Sequence, residues 1–464
     1  MVGDMTGIFD GARIDASGAT GGGNILAGGD KQGGFIFSGG QLLPNSRRTF
    51  VGRETELRAD AITSGDGGKV VVWSEDYSAF LGLISARGGA SGGNGGFVET
   101  SSHRLLNASG LVITSAAMGK SGLWLLDPTD MTITTTADAF VTGVNPFIPT
   151  ASGSVVTWNT LDAALATGNV SVLTTLGFDA GQAGNITIAN GFAYNRANTL
   201  SLNAANDIVV NGAVSNTGAG GLTLTAGSTG SVAVNQNLTT AGGTIAINAG
   251  SGGVSLAAGR TIDAGSGLIA IDAGGGAASF STGTLQTSNA TASAIGVTNA
   301  STMTLGNVAL SGGGTLGVSH SGAGTQTAAT AISGTGGLTK SGAGTLTLSQ
   351  ANTYSGTTTV SAGTLAAGAN NVIAGGAVTV SGGTFDMVTF TDTVGAVTLE
   401  SGSITGSTGV LTGTSYGVQS GSISAILAGA VGLTKTTSGT VTLSGVNTYS
   451  GGTTINAGTL SIAN

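Results

Sequence analysis

Between Ile186 and Asp272 one short pattern recurs: an apolar residue, a small or polar one, a second apolar one, then often Asn or Asp. It reads Ile186-Thr-Ile188, Leu200-Ser-Leu202-Asn203, Ile208-Val-Val210-Asn211, Leu222-Thr-Leu224, Val232-Ala-Val234-Asn235, Ile245-Ala-Ile247-Asn248, Val254-Ser-Leu256 and Ile269-Ala-Ile271-Asp272. Alternation at period two belongs to a strand with one buried face. Taken alternately, the strands form two series. One starts at 186, 208, 232 and 254, with steps of 22, 24 and 22; the other at 200, 222, 245 and 269, with steps of 22, 23 and 24. Such spacing predicts a coil of about 22 residues that contributes at least two strands, the mark of a stacked-repeat architecture.

A coil this short has no room for a crossover helix between parallel strands. Stacked coils solve the problem. Equivalent strands then pair in parallel at about 4.8 Å per coil. Inward Ile, Leu and Val form continuous columns, and no coil need be stable alone. The expected fold is all-β, a right-handed parallel β-helix. Asn or Asp after a strand suits a corner, because these residues tolerate left-handed backbone and bond locally. At one level Asn203, Asn248 and Asp272 would form a side-chain ladder; the alternative is that they are simple turn residues.

Composition agrees. The 464 residues include 86 Gly, 4 Pro, no Cys, 5% aromatic and 8% charged residues. Ordinary domains are about 25% charged and about 7% Gly, so this is a repeat composition. At 40% hydrophobic the chain is not of the disordered class. Stacked along its length it would make a rod on the order of 100 Å. The net charge of −8 argues against nucleic acid or an anionic membrane as partner. Charge is uneven: residues 141–464 hold only Arg196, Arg260, Lys340 and Lys435 as cations. A Thr/Ser/Asn/Gly surface of this kind is that of an extracellular stalk. Without Cys there is no disulfide, thiol chemistry or Cys-based metal site, which favours export in the unfolded state. Met1–Asp10 has neither the basic region nor the apolar run of a signal peptide. No run of 18 apolar residues reads as a membrane helix. The strands are too short and the aromatics too few for an outer-membrane barrel. The chain begins inside its pattern, at Gly7-Ile-Phe-Asp-Gly-Ala-Arg-Ile-Asp15, so an export region is expected to precede it.

Residues 1–135 read as strands broken by Gly clusters, where glycine permits tight corners. Strands are expected at Phe35–Phe37, Lys69–Trp73, Phe80–Ser85, Phe97–Glu99, Leu111–Thr114, Leu123–Leu126 and Met131–Thr134. The charged run Arg47–Arg53 with Glu54–Arg58 is expected to be a solvated loop, or else a small contact site. Four motifs follow in order: Gly65-Asp-Gly-Gly-Lys-Val-Val-Val-Trp-Ser74, Gly82-Leu-Ile-Ser-Ala-Arg-Gly-Gly89, Gly93-Asn-Gly-Gly-Phe-Val-Glu99 and Gly122-Leu-Trp-Leu-Leu-Asp-Pro-Thr129. Over roughly residues 7–135 this run resembles large filamentous-haemagglutinin-like exoproteins. The resemblance implies a bacterial surface protein exported by two-partner secretion. That family's amino-terminal secretion domain is absent from the sequence. The family assigns no catalytic residue to this run.

Residues 136–180 form a transition in which Pro146 and Pro149 interrupt regular structure. Thr160-Leu-Asp-Ala-Ala-Leu-Ala-Thr-Gly168 predicts one helix, capped by Thr160, with Asp162 complementing its dipole and Gly168 ending it. Val170–Leu173 is the next expected strand. A short helix ahead of the first coil resembles the entry to pectate-lyase-like β-helices. Regular coils then occupy 181–330, with no firm register after Asp272.

The last segment, 331–464, holds a long repeat. Gly337-Leu-Thr-Lys340…Asn352-Thr-Tyr-Ser-Gly356…Ala362-Gly-Thr-Leu365 recurs 95 residues later as Gly432-Leu-Thr-Lys435…Asn447-Thr-Tyr-Ser-Gly451…Ala457-Gly-Thr-Leu460. From 337 to 366, 20 of 30 aligned positions are identical. Each copy, 337–366 and 432–461, contains a strand, an Asn-Thr-Tyr-Ser-Gly corner and a second strand, about one and a half coils. It is similar to the passenger-associated repeat of autotransporters, whose passengers are β-helices. That family's translocator barrel does not follow within the sequence. The chain therefore resembles part of a larger exported adhesin.

Sites of chemistry are scarce. Gly89-Ala-Ser91-Gly-Gly93 and Gly413-Thr-Ser415-Tyr-Gly417 match the nucleophile-elbow pattern, but Gly and Ser are so frequent that chance supplies such matches. Gly119-Lys120-Ser121 is half a phosphate loop whose first Gly is replaced by Thr114. His103 and His320 are the two histidines, too few for a His-based metal site. Asp127-Pro-Thr-Asp130 reads as an Asp-Pro turn rather than a calcium site. A glycan lyase or hydrolase needs grouped carboxylates or cations, whereas 181–330 hold Asp207, Asp263, Asp272, Arg196 and Arg260. The close pair Arg260 and Asp263 reads equally as a surface ion pair. No catalytic, cofactor-binding or metal residue is assigned, and no cofactor is expected.

The sequence thus predicts a non-enzymatic exported bacterial surface protein, the β-helical stalk or passenger of an adhesin acting in attachment or aggregation. Its expected partners are an outer-membrane translocator and a host-cell, matrix or glycan receptor, with self-association through β-helix ends. Two alternatives stay open: a β-helix polysaccharide lyase or hydrolase, and a purely structural surface or biofilm matrix protein.

Overall fold

The computed structural model describes residues 1–463 other than 32–33, 35, 39–40, 103–105, 109, 127–129, 140, 142–144, 150–153 and 175–182. It is nearly all β, with 47% strand and 2% helix. Parallel sheets stack as a β-solenoid of about 17 turns, about 23 residues each. The chain divides into two compact units. The first comprises Met1–Leu161, Val170–Ala189 and Leu202–Asp207; the second comprises Asp162–Asn169, Asn190–Ser201 and Ile208–Asn464.

In the first unit three four-stranded sheets each take one strand per coil. One runs Met5–Ile8, Arg48–Val51, Tyr77–Phe80, Leu106–Ala108. The second runs Arg13–Asp15, Glu56–Arg58, Leu83–Ser85, Leu111–Ile113. The third runs Asn24–Ala27, Lys69–Val72, Phe97–Thr100, Leu123–Leu126. Register pairs Arg48 with Tyr77, Leu83 with Leu111 and Lys69 with Phe97. With Glu56 paired to Leu83 and Phe97 to Leu123, these coils are 26 to 29 residues long, longer than the pattern at 186–272 predicts, because glycine-rich corner loops lengthen them. The first is longer still, pairing Met5 with Arg48, and contains the antiparallel hairpin Ile36–Ser38 and Gln41–Leu43.

The run 47–58 is a correction. It is not a solvated loop but two strands, Arg48–Val51 and Glu56–Arg58. Thr49, Val51 and Leu57 are buried, while the charged residues alternate outward. The expected strand Phe80–Ser85 is likewise two strands on different sheets, broken at Leu81-Gly82. The core stacks like residues: Ile8, Val51 and Phe80 on one side, Ile25, Val70 and Val98 on another. Each such side chain contributes about 1.5–3 kcal/mol by leaving water.

The helix runs from Trp158 to Leu165 and starts two residues before its expected cap. Thr157 is the cap, its Oγ1 accepting from Thr160 N at 3.3 Å. Thr157 N and the Thr160 hydroxyl both donate to Asp138. Asp162 lies beyond the first turn, which holds no acid. In the second unit it forms a bidentate pair with Arg196, both contacts at 2.7 Å, rather than complementing the dipole.

The second unit follows the two series of the sequence and adds a third. Ile208, Val232 and Val254 are in register, as are Leu222, Ile245 and Ile269. A seven-stranded third sheet runs from Phe192–Tyr194 through Val214–Asn216 and Leu238–Thr240 to Ile332–Gly334. Beyond Asp272 the register continues from Ile269 to Ile295, Leu316, Leu338 and Thr358. It was hidden by a 26-residue coil with a bulge at Val297–Ala300, where Asn299 takes φ 53°. Coils then shorten: Thr358, Val378, Val397, Tyr416 and Leu433 pair in turn at offsets of 20, 19, 19 and 17.

Candidate functional site

In the first unit one corner carries the haemagglutinin-like motifs. Gly65-Asp66-Gly67-Gly68, Gly93-Asn94-Gly95-Gly96 and Gly119-Lys120-Ser121-Gly122 occupy it in successive coils. Asn94 N donates to Asp66 Oδ1 at 2.6 Å, and Lys120 N to Asn94 Oδ1 at 3.0 Å. A Cβ added to Gly96 would lie 2.1 Å from Gly68 O, and one on Gly122 2.0 Å from Gly96 O. Glycine is required because the coils touch backbone to backbone. The half phosphate loop at 119–121 is thus a rung of this corner.

The other sequence matches disperse. The Ser91 hydroxyl donates to Thr63 O at 2.6 Å, and Ser415 opens the strand Ser415–Val418; neither sits on a strand-to-helix turn. Asp263 accepts from Gly265 N and Gln286 Nε2. No Arg260–Asp263 ion pair forms among the described residues. His103 and Asp127–Thr129 lie outside the described residues. Among the described residues no three His, Asp or Glu side chains are grouped as a metal site.

Of the expected ladder, Asn248 and Asp272 are in register but bond to other partners. Asn248 Nδ2 donates to Thr225 Oγ1 at 3.3 Å, and Asn299 Nδ2 to Asp272 Oδ2 at 2.9 Å. Thr225 ends the strand that lies between those of Asn203 and Asn248, so these rungs are mixed pairs. Asp272 Oδ1 accepts from Gly274 N, so both carboxylate oxygens are engaged. Asn248, Asp272 and Asn299 line a groove of about 630 Å³ with Ser319, His320 and Gly342.

The most organised polar chemistry lies inside the two long repeats. In each, a lysine occupies an inward strand position and is fully buried. Lys340 Nζ donates to Ser341 O at 2.7 Å, Gly342 O at 2.8 Å and Ala362 O at 3.4 Å. Lys435 Nζ donates to Thr437 O and to Ala457 O, the latter at 3.2 Å. A buried ammonium is costly unless its donors are used; here they bind corner carbonyls of two successive coils. Burial lowers the Lys340 pKa to about 8. One coil earlier His320 does the same task, Nδ1 lying 3.0 Å from Gly322 O. Burial, and then the Lys340 charge, holds its pKa below the usual value.

The Asn-Thr-Tyr-Ser-Gly segment forms the opposite corner. Asn352 Oδ1 accepts from Ile332 N at 2.8 Å, and Asn447 Oδ1 from Leu427 N at 2.9 Å. The Tyr354 hydroxyl pairs with Thr358 at 2.6 Å, and Tyr449 with Thr453 at 2.9 Å. Each repeat closes on itself: Leu338 pairs with Thr358 and Leu346 with Leu365, as Leu433 does with Thr453 and Val441 with Leu460. A repeat is thus a coil and a half. Lys340, Asn352 and their counterparts were legible as shared residues 95 apart, but not as bridges between coils.

The passenger-associated-transport-repeat family matches residues 338–367 and 433–462, the two segments just described. Repeats of this family belong to autotransporter passengers, which cross the outer membrane. With the β-solenoid they fit an autotransporter passenger and an exported surface protein. No curated protein matches the chain.

Proposed function

We propose that this chain is the solenoid passenger of a bacterial surface adhesin, a non-enzymatic scaffold that holds binding surface away from the cell. The observation that carries this reading is the placement of the two matched repeats. Each is built as a coil and a half into a continuous parallel ladder of the second unit, so the repeat is part of the scaffold rather than an appendage.

Outer-face chemistry supports the same reading. Thr339, Thr359, Thr379 and Thr398 stand in register on one face, a neutral hydroxyl row suited to hydrated ligands such as glycans. The haemagglutinin-like corner of the first unit serves rigidity, its backbone contacts leaving no room for side chains. Export runs through an outer-membrane translocator, and the repeats favour the autotransporter route over two-partner secretion. The protein then works at the cell surface, with self-association between β-helices.

The test is binding of the purified chain to glycan arrays and host-matrix proteins, with released sugars assayed in the same wells. Saturable binding without product is expected. Sugar release would replace the adhesin with a glycan-active enzyme. Neither binding nor product would leave a structural matrix protein.

A further inference from the structure

In the second unit one inward position ahead of a corner is filled, coil by coil, by Ile332, Asn352, Val372, Asp392, Leu411, Leu427 and finally Asn447. Two of its polar members are amides within the repeats. Asn352 bridges three coils: Oδ1 accepts from Ile332 N, and Nδ2 donates to Val372 O at 2.7 Å. Asp392, between the repeats, reaches back one coil. Its Oδ2 accepts from Ile373 N at 2.8 Å. An ionised carboxylate has no donor to offer in return. Its Oδ1 is buried without a hydrogen bond of good geometry, and the residue is 1% exposed.

We propose that Asp392 is a proton-operated clamp. When protonated, its carboxyl supplies the donor that the Asn352 amide supplies in the repeat, and the surrounding coils tighten. When ionised, it leaves a buried charge with Oδ1 short of a donor, and they loosen.

The surroundings leave the switching to this one group. The segments packed against it carry Tyr354 and, through the Tyr416 hydroxyl on Leu411 O, Tyr416. Burial raises both phenol pKa values, so both stay neutral. Asp386 and Glu400 lie on outward positions of neighbouring strands. Lys340 is turned to the other corner. Burial raises the Asp392 pKa to about 6, although the amides of Ile373, Thr393 and Val372 pull the other way. The folded state then binds more protons than the unfolded state between about pH 4 and 6. Local stability is greatest in acid and is lost as pH rises through that window.

The test is site-resolved amide exchange on the whole chain, corrected for intrinsic rates, at pH 4 and 7.5. Protection at Ile373 and Leu411 should fall up to about a hundredfold on going to pH 7.5, while protection at Ile245 and Ile247 stays constant. Asp392→Asn should hold the acid level at both pH values. The wild-type measurement needs no variant. Equal protection at both pH values, or pH dependence retained in Asp392→Asn, overturns the clamp.

Discussion

The two copies of the repeat share 20 of 30 residues and sit in different places. The first is covered by the coil Val378–Asp386, which pairs with both of its later strands. No described residue covers the second. Val360 is fully buried, whereas its counterpart Ile455 is 53% exposed. Yet the internal bonds are the same: lysine to the carbonyls two and 22 residues on, asparagine to the amide 20 residues back, tyrosine to the threonine four residues on. The hydrogen bonds thus belong to the sequence of the repeat, and the hydrophobic stabilisation belongs to its neighbour. In a solenoid, coil and interface contribute separately.

The largest effect that separates the copies is therefore apolar. Leu365→Ala should cost about 2–5 kcal/mol, a core truncation. Leu460→Ala, at the equivalent but half-buried site, should cost under about 1 kcal/mol. Denaturant unfolding of both variants measures the difference; equal losses would mean that the second copy is covered in solution. Next comes the buried lysine. Lys340→Ala leaves corner carbonyls without donors, at about 1–3 kcal/mol. Because the folded-state pKa of Lys340 is depressed to about 8, the unfolded state binds the extra proton between there and the ordinary lysine value. Stability should rise with pH across that window, by up to about 3 kcal/mol. Lys340→Met should abolish the rise.

A third change exchanges the character of the two inward positions. Asn352→Asp places a carboxylate against Val372 O and Gln350 O, which the amide now satisfies. At neutral pH it should destabilise the first repeat by about 1–3 kcal/mol, with recovery in acid. Melting curves at pH 4.5 and 7.5 check it. Loss of the same size at both pH values would point to packing rather than charge.

Much of this organisation was legible. Alternation at 186–272 revealed two faces because each strand there places two apolar residues inward. The third face was not, since Val214-Ser-Asn216 and Leu238-Thr-Thr240 each put one apolar and one polar residue inward; Asn216 and Thr240 bond Gly220 O and Gly243 O at their corners. Charge concealed the strands at 48–58, though parity alone puts Val51 and Leu57 inside. By the same parity Lys340 and Asp392 point inward. What each meets there depends on the neighbouring coil, and changing coil lengths conceal that register.

The smallest effect concerns the asparagine rungs. Asn248 is half-buried, and its amide reaches Thr225 at 3.3 Å, a long bond between neutral groups. Removing it should cost under about 1 kcal/mol. The β-branched replacement in Asn248→Val fits the strand and offsets part of that loss. The melting temperature should fall slightly more than for Thr223→Val, an outward position on the adjoining strand. Asn352 is placed differently. There the same amide is buried, bonds two neighbouring coils and has no water to replace them, so Asn352→Val should cost several times more. If the two asparagine variants lose equal stability, bonding across coils is not what distinguishes the repeats from the plain coils before them.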